Sequence, residues 1–396
     1  MVFPVSVKFD SAGARAFILM STDHLKIGFV RRGFSPSGGA EAYLKRLAHG
    51  VVEAGHEARL FTTARWPDSQ WTAGEITRLS GESPLRFADE LERLRAHSES
   101  DVLMSLERVW SCDVYRAGDG VHRAWLDRRA KFRSRWRRVA HVLNPRHLAM
   151  LRLEQSLFGN RFASRVIANS HMVATEVTRI YGYPPNQIDV VQNGVPVESF
   201  HSTAEQSRLA RANLNLAADE TVVLFVGSGW ERKGLRFAIQ AIESCRISNI
   251  RLLVAGRGNP AHFKSGAVQF LGATADPGAL YAAADIFLLP TIYDPFSNAS
   301  LEALAAGIPV ITTRSNGFAE IMREGVDGSI IETPDDVVAI CRALRFWSAA
   351  AHREETRPLR LALASRYDIS INVKRTLEIL LQAASAASTS SKIRNT

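Results

Sequence analysis

Residues 285–313 read DIFLLPTIYDPFSNASLEALAAGIPVITT. Ile286 to Pro290 is an apolar run of strand length, and it opens into a polar loop from Tyr293 to Phe296. Ser297 or Asn298 supplies a side-chain oxygen for the unsatisfied N–H groups of a helix's first turn. Ala299 to Ala306 are strong helix formers; Gly307 stands where a left-handed residue ends a helix, and Pro309 follows where a helix cannot continue. Val310 to Thr313 reads as the next strand. A strand–loop–helix–strand unit of this kind is the repeating piece of a parallel α/β sheet. The loop carries Asp294 and the helix Glu302, two acids around a helix N-terminus at a strand's carboxyl end. Such a terminus attracts anions, so the pattern suits a ligand bearing both phosphate and hydroxyl groups.

Working outward, the same pattern recurs. Towards the amino terminus lie Val222 to Val226, the turn Gly227-Ser228-Gly229 with Arg232 and Lys233, the strand Arg251 to Ala255, and Val268 to Leu271. In the first half, Lys26 to Val30 leads through Gly38-Gly39 into a helix from Ala40 to Ala54, whose Leu44, Leu47, Ala48 and Val51 recur at helical spacing. Ala58 to Thr63 and Asp101 to Leu106 read as strands. The DVYRAGDGVHRAW segment that follows, from Asp113 to Trp125, reads as a glycine loop presenting Asp119 and His122. Arg165 to Ala168 and Ile188 to Val191 are further strands. At Gly38-Gly39 a plain tight turn fits as well as close approach of a phosphate. At Asp119 a turn-satisfying carboxylate fits as well as a site acid.

The 396 residues exceed one ordinary core and fit two domains. The expected division is an extension at 1–24, an N-terminal domain at 25–205, a C-terminal domain at 206–370, a helix at 371–385 and a disordered tail at 386–396. Residues 1–24 lack the apolar core of a signal peptide, and residues 1–19 could reflect an upstream start. No apolar run is long enough to span a membrane. The three cysteines, Cys112, Cys245 and Cys341, are scattered and read as buried free thiols, not a disulfide or metal framework. The formal charge of +9 favours an anionic partner. Residues 123–152 concentrate arginine, with Arg133, Arg135, Arg137 and Arg138 among aromatics, which suits an anionic membrane surface, nucleic acid or a solvated helix face.

Arg232 and Lys233 beside a glycine turn suit a diphosphate: a guanidinium grips two oxygens, and an ammonium acts as a point charge. If the diphosphate leaves, its charge grows as the bond breaks, and fixed cations stabilise that state preferentially. No Asp-x-Asp pair suited to a metal accompanies them, so no metal or cofactor is expected.

These pieces together resemble the retaining glycosyltransferases of family four, with GT-B architecture: two Rossmann-like α/β domains facing across a cleft and a C-terminal helix returning to the first. The matching stretches are PSGGAEAYLKRLA, IANSHMVATEV, VVQNGV, FVGSGWERKG, LVAGRG and YDPFSNASLEALAAGIPVITT. Because DVYRAGDGVH stands in the corresponding place, the WaaG-type lipopolysaccharide-core glucosyltransferases are most similar. The resemblance implies a nucleotide-sugar co-substrate, expected to be UDP-linked, and a glycan or glycolipid acceptor. It implies donor contacts from Gly38, Gly39, Gly227, Arg232, Lys233, Asp294, Ser297, Asn298, Ala299 and Glu302, and catalytic roles for Asp119, Lys233 and Asp294. It places His122 on the acceptor side, with the arginines at an anionic membrane surface on its cytoplasmic face. The family pattern is Glu, seven residues, Glu; here Asp294 takes the first place, which leaves the donor sugar open. A sugar-nucleotide epimerase or phosphorylase on the same fold, or a basic nucleic-acid-binding protein, are the competing classes; no specific nucleic acid is expected.

Overall fold

The computed structural model describes residues 24–35, 39–133, 144–263, 265–274 and 277–394. The extension up to residue 23, Gly38, Arg135, Arg137 and Arg138 lie outside the described residues.

The central strands are apolar runs buried on both faces, as in a parallel sheet covered by helices. β1 (Lys26–Val30), β2 (Glu57–Thr63), β3 (Gly74–Leu79), β4 (Val102–Ser105), β5 (Cys112–Ala117), β6 (Ala163–Ala168) and β7 (Ile188–Val190) form a parallel sheet in the order β3-β2-β1-β4-β5-β6-β7. β8 (Thr221–Val226), β9 (Ile250–Ala255), β10 (Val268–Gly272), β11 (Ile286–Leu289), β12 (Val310–Thr313) and β13 (Gly328–Ile331) form a second, ordered β10-β9-β8-β11-β12-β13. β11 lies between β8 and β12, with Phe287 opposite both Leu224 and Val310. The 285–313 stretch is therefore the middle of its sheet. Its helix, Asn298–Ala305, is capped by the Ser297 side chain, which accepts from Ser300 N–H, and Gly307 follows at φ +78°.

Several expectations change. Cys112–Ala117 is a strand, not the start of a glycine loop; its polar Asp113 accepts from Leu103 N–H at 2.7 Å, so the polarity that hid it is satisfied inside the sheet. β3 and β13 are edge strands with weak apolar patterns, and the helices Pro84–Arg93 and Ala350–Ala364 also escape the sequence reading. Val195, Val197 and Phe200, which precede the expected boundary at 205, pack into the second core.

The final helix, Ile369–Arg394, returns to the first unit. Asn372 Nδ2 donates to Gln192 O, Tyr43 and Thr376 hydroxyls meet at 3.1 Å, and Ile379, Leu380 and Ala384 join the first unit's core. Its backbone stays helical past residue 386, where low complexity predicts disorder. Adding turns to an already packed helix avoids the nucleation cost an isolated tail would face.

Candidate active site between the two sheets

Both sheets turn their carboxyl ends towards each other, and the loops there build the site. Residues 118–121 follow β5. Asn169 Nδ2 donates to Gly118 O at 3.1 Å, and Arg108 donates to Gly120 O at 2.7 Å. Arg108 is itself held by Glu154 at 2.9 Å, a buried pair whose carboxylate also receives the His122 and Arg123 N–H groups. The backbone is thus bolted down while Asp119 points outward, exposed.

Facing it, the loop after β11 is fixed by Asp294 N–H donating to Ser315 O at 3.0 Å and by Gly317 N–H donating to Asp294 O at 2.9 Å. Lys233 Nζ donates to Asp294 Oδ2 at 2.6 Å, and Arg232 stands 3.9 Å from the same oxygen while donating to Tyr293 O at 3.1 Å. Burial alone raises the Asp294 pKa, but Lys233 and Arg232 outweigh it and hold the carboxyl below its usual range. Glu302, with seven residues between it and Asp294, accepts from the Tyr281 hydroxyl at 2.7 Å. Its burial dominates over that bond, Lys233 and Arg46, and its pKa is raised.

A cavity of about 290 Å³ joins the two loops: Arg108, Gly118, Asp119, His122 and Trp125 line it from the first unit, Arg232, Tyr293, Asp294 and Pro295 from the second. Asp119, His122, Arg232 and Asp294, spread over 176 positions of sequence, therefore share one space. His122 Nε2 lies 3.0 Å from His147 Nδ1, and burial, with Arg108 and His147, pushes its pKa down to about 3, so the imidazole is neutral at physiological pH. Gly227 seats the Lys233 stem: a Cβ there would stand 3.1 Å from Lys233 Cε. A Cβ on Gly39 would stand 2.9 Å from Asn298 Nδ2, so the helices Gly39–Glu53 and Asn298–Ala305 meet N-terminus to N-terminus. Ser297 is occupied in capping, and Ala299 O accepts from Tyr281. Among the described residues no group of three or more metal-ligating side chains occurs.

Within the described part of the arginine-rich segment, Arg129 and Arg133 pair with Glu231 of the second unit, each at 2.6 Å. One carboxylate at the rim, half-exposed, draws both cations across the gap. A second bridge lies deeper. Tyr293 is buried, donates to Glu176 at 2.8 Å and accepts from Val121 N–H at 2.9 Å, while Arg128 pairs with Glu176 and lies over the Tyr293 ring. Gly120, at φ +69°, makes room: a Cβ would fall 2.3 Å from the Tyr293 hydroxyl. Across the gap, Glu320 also accepts from His171 N–H at 2.8 Å, capping a first-unit helix. Tyr293, Glu176, Arg108 and Glu320 escaped sequence reading. Only Tyr293, as the immediate neighbour of Asp294, carried any signal.

Two family models match the chain: "Glycosyltransferase Family 4" over residues 37–199 and "Glycosyl transferases group 1" over 220–348. The lipopolysaccharide glucosyltransferase WaaG of Escherichia coli is 24% identical over 328 residues, covering 78% of this chain and 85% of WaaG. An uncharacterised glycosyltransferase of Methanocaldococcus jannaschii is 29% identical over 46% of this chain, and the D-inositol 3-phosphate glycosyltransferase of Mycobacterium tuberculosis is 29% identical over 55%. The chain spans about half the length of these last two, 51% and 48%. Among solved structures, WaaG superposes with a TM-score of 0.76 at 20% identity, over 89% of this chain and 99% of WaaG. Anabaena HepE, solved with UDP and glucose, gives 0.70 at 20% identity over 91% and 100%.

Proposed function

The chain belongs to the family 4, group 1 glycosyltransferases of GT-B architecture, and from that premise we propose that it moves a hexose from a UDP-sugar to a hydroxyl of a lipopolysaccharide-core or other cell-envelope glycan or glycolipid, with retention and without metal. WaaG's name carries lipopolysaccharide as its setting, and HepE was solved with UDP-glucose. The observation that carries the reading is the Lys233–Asp294 pair with Arg232 beside it, opposite Asp119 in one cavity.

The residues divide the work by charge. With no donor bound, Asp294 occupies Lys233. A diphosphate, with more charge and more acceptor oxygens, competes for that ammonium and frees Asp294 to accept a sugar hydroxyl. Arg232 and the N–H groups opening the Asn298 helix complete the anion site. Negative charge builds on the leaving diphosphate, where Lys233 and Arg232 oppose it. Glu302 accepts from the ribose. The acceptor hydroxyl attacks from the same face, its proton passing to a donor phosphate oxygen. Asp119 orients the acceptor, with neutral His122 as a hydrogen-bonding neighbour. Among the described residues no helix is long and apolar enough to cross a membrane; electrostatic attachment of the 123–152 segment to an anionic cytoplasmic membrane face is part of the proposal.

A thermal-shift screen against UDP-, GDP- and ADP-sugars tests the donor. A ligand at a hundredfold its Kd adds about 2.7 kcal/mol, a clear upward shift, and UDP-sugars are expected to give it. Lys233→Ala is expected to cut turnover on the active donor by about a hundredfold or more, beyond any loss in donor binding. No stabilisation by any nucleotide sugar, or unchanged turnover in Lys233→Ala, overturns the reading.

A further inference from the structure

Arg116, on β5, is a buried guanidinium that the fold leaves partly unpaired. It is 4% exposed, and its NH1 finds no hydrogen-bond partner. Its NH2 donates to Asn193 Oδ1 at 2.8 Å, and its charged plane lies 4.0 Å over the Tyr43 ring. No carboxylate among the described residues forms an ion pair with it. A buried charge without a counter-ion is among the costlier features a core can hold.

The surroundings supply a purpose. Tyr43 lies near the start of the Gly39–Glu53 helix. Asn193, which holds Arg116, donates to Asn298 Oδ1 at 2.7 Å and to Phe296 O at 3.0 Å. Asn298 is the first residue of the opposing helix, and its amide sits against Gly39. The guanidinium therefore stands behind two helix N-termini that face each other. Each presents unpaired N–H groups and the positive end of its dipole. Asn298 meets the first unit at both Asn193 and Gly39.

We propose that Arg116 is a phosphate ligand supplied by the first unit, its free NH1 completing its hydrogen bonds on an oxygen of the nucleoside diphosphate held between the two helix N-termini. This rests on the nucleotide-sugar reading of the same cleft. Arg232 and Lys233 grip the diphosphate from one side, Arg116 from the other, and the Arg116–Asn193–Asn298 chain reports the anion to the helix that must close over it. A planar fork suits both tasks, one nitrogen for Asn193 and one for phosphate; a lysine ammonium serves them less well.

Calorimetric titration of UDP, GDP and ADP into the wild-type protein, Arg116→Met, Arg116→Lys and Lys233→Ala tests this, with the matching nucleosides followed by saturation-transfer NMR. Arg116→Met is expected to weaken the preferred diphosphate by about ten- to a hundredfold, the range for a charge-assisted hydrogen bond. The nucleoside signal should persist, and Arg116→Lys should fall between. A melting temperature near wild type separates this from a packing role. Diphosphate affinity unchanged in Arg116→Met, or nucleoside and diphosphate lost together, overturns the inference. If Arg116→Met does not fold, Arg116→Lys decides by the same two readouts. Lys233→Ala monitors the cleft assignment itself: a loss there with none at Arg116 sinks only the inference, whereas no diphosphate binding by the wild type sinks both.

Discussion

Of the glutamates that tie the units together, Glu231 and Glu176 do so in opposite settings. Glu231 sits at the rim with nearly half its side chain in water and collects Arg129 and Arg133. Glu176 is 3% exposed and shares Arg128 with the Tyr293 hydroxyl. The bonding partners are similar; the solvent is not. Burial of Glu176 raises its pKa, and Arg128 and Tyr293 only partly offset that. At Glu231 burial also pushes upward, but the two arginines outweigh it and the pKa falls. The inner bridge is expensive to break because it leaves buried groups unpaired, whereas water replaces much of the outer one. The inner bridge also ends on Tyr293, beside Asp294, and on Val121, two residues from Asp119. It aligns the two loops that form the cavity.

The sharpest break of that contrast is Gly120→Ala. Its backbone is left-handed and its Cβ would collide with the Tyr293 hydroxyl, so the inner bridge cannot form as it stands. Turnover is expected to fall by an order of magnitude or more while melting shifts by only a few degrees, read by donor-turnover assay and thermal denaturation; full activity would show that the interlock is dispensable. Glu176→Ala should follow, at about 3 kcal/mol of lost stability, the range for breaking a buried pair, measured by urea unfolding. Glu231→Ala should cost at most about 1 kcal/mol by the same measurement. If the two losses were equal, solvent exposure would not be what separates the bridges.

The smallest effect is in pH, where the signs differ. Glu176 has a raised folded pKa, so its contribution is present below the unfolded carboxyl range and is lost as pH rises through the folded value. Glu231 has a lowered folded pKa, so its contribution is present above the unfolded value and is lost as pH falls through the folded one. Subtracting melting curves of Glu176→Gln and Glu231→Gln from wild type across the acid range should give slopes of opposite sign.

The chain alone determined the alternation of buried strands and helices, the strand–loop–helix–strand unit of 285–313, and the glycine turn that carries Arg232 and Lys233. These are local matters: apolar periodicity, a cap at Ser297, a left-handed glycine at Gly307, like neighbours in sequence. Satisfied polarity defeated the same reasoning at β5, where Asp113 finds its partner on the neighbouring strand. Only the tertiary structure decided that Asp119 and Asp294 share one cavity, that Glu176 waits for Tyr293 and Glu231 for Arg133, and that Arg116 stands behind two facing helix ends. Each brings together residues about 75 to 175 positions apart, and a charge carries no mark in its own sequence of which distant partner, or how much water, it will meet once the chain has folded.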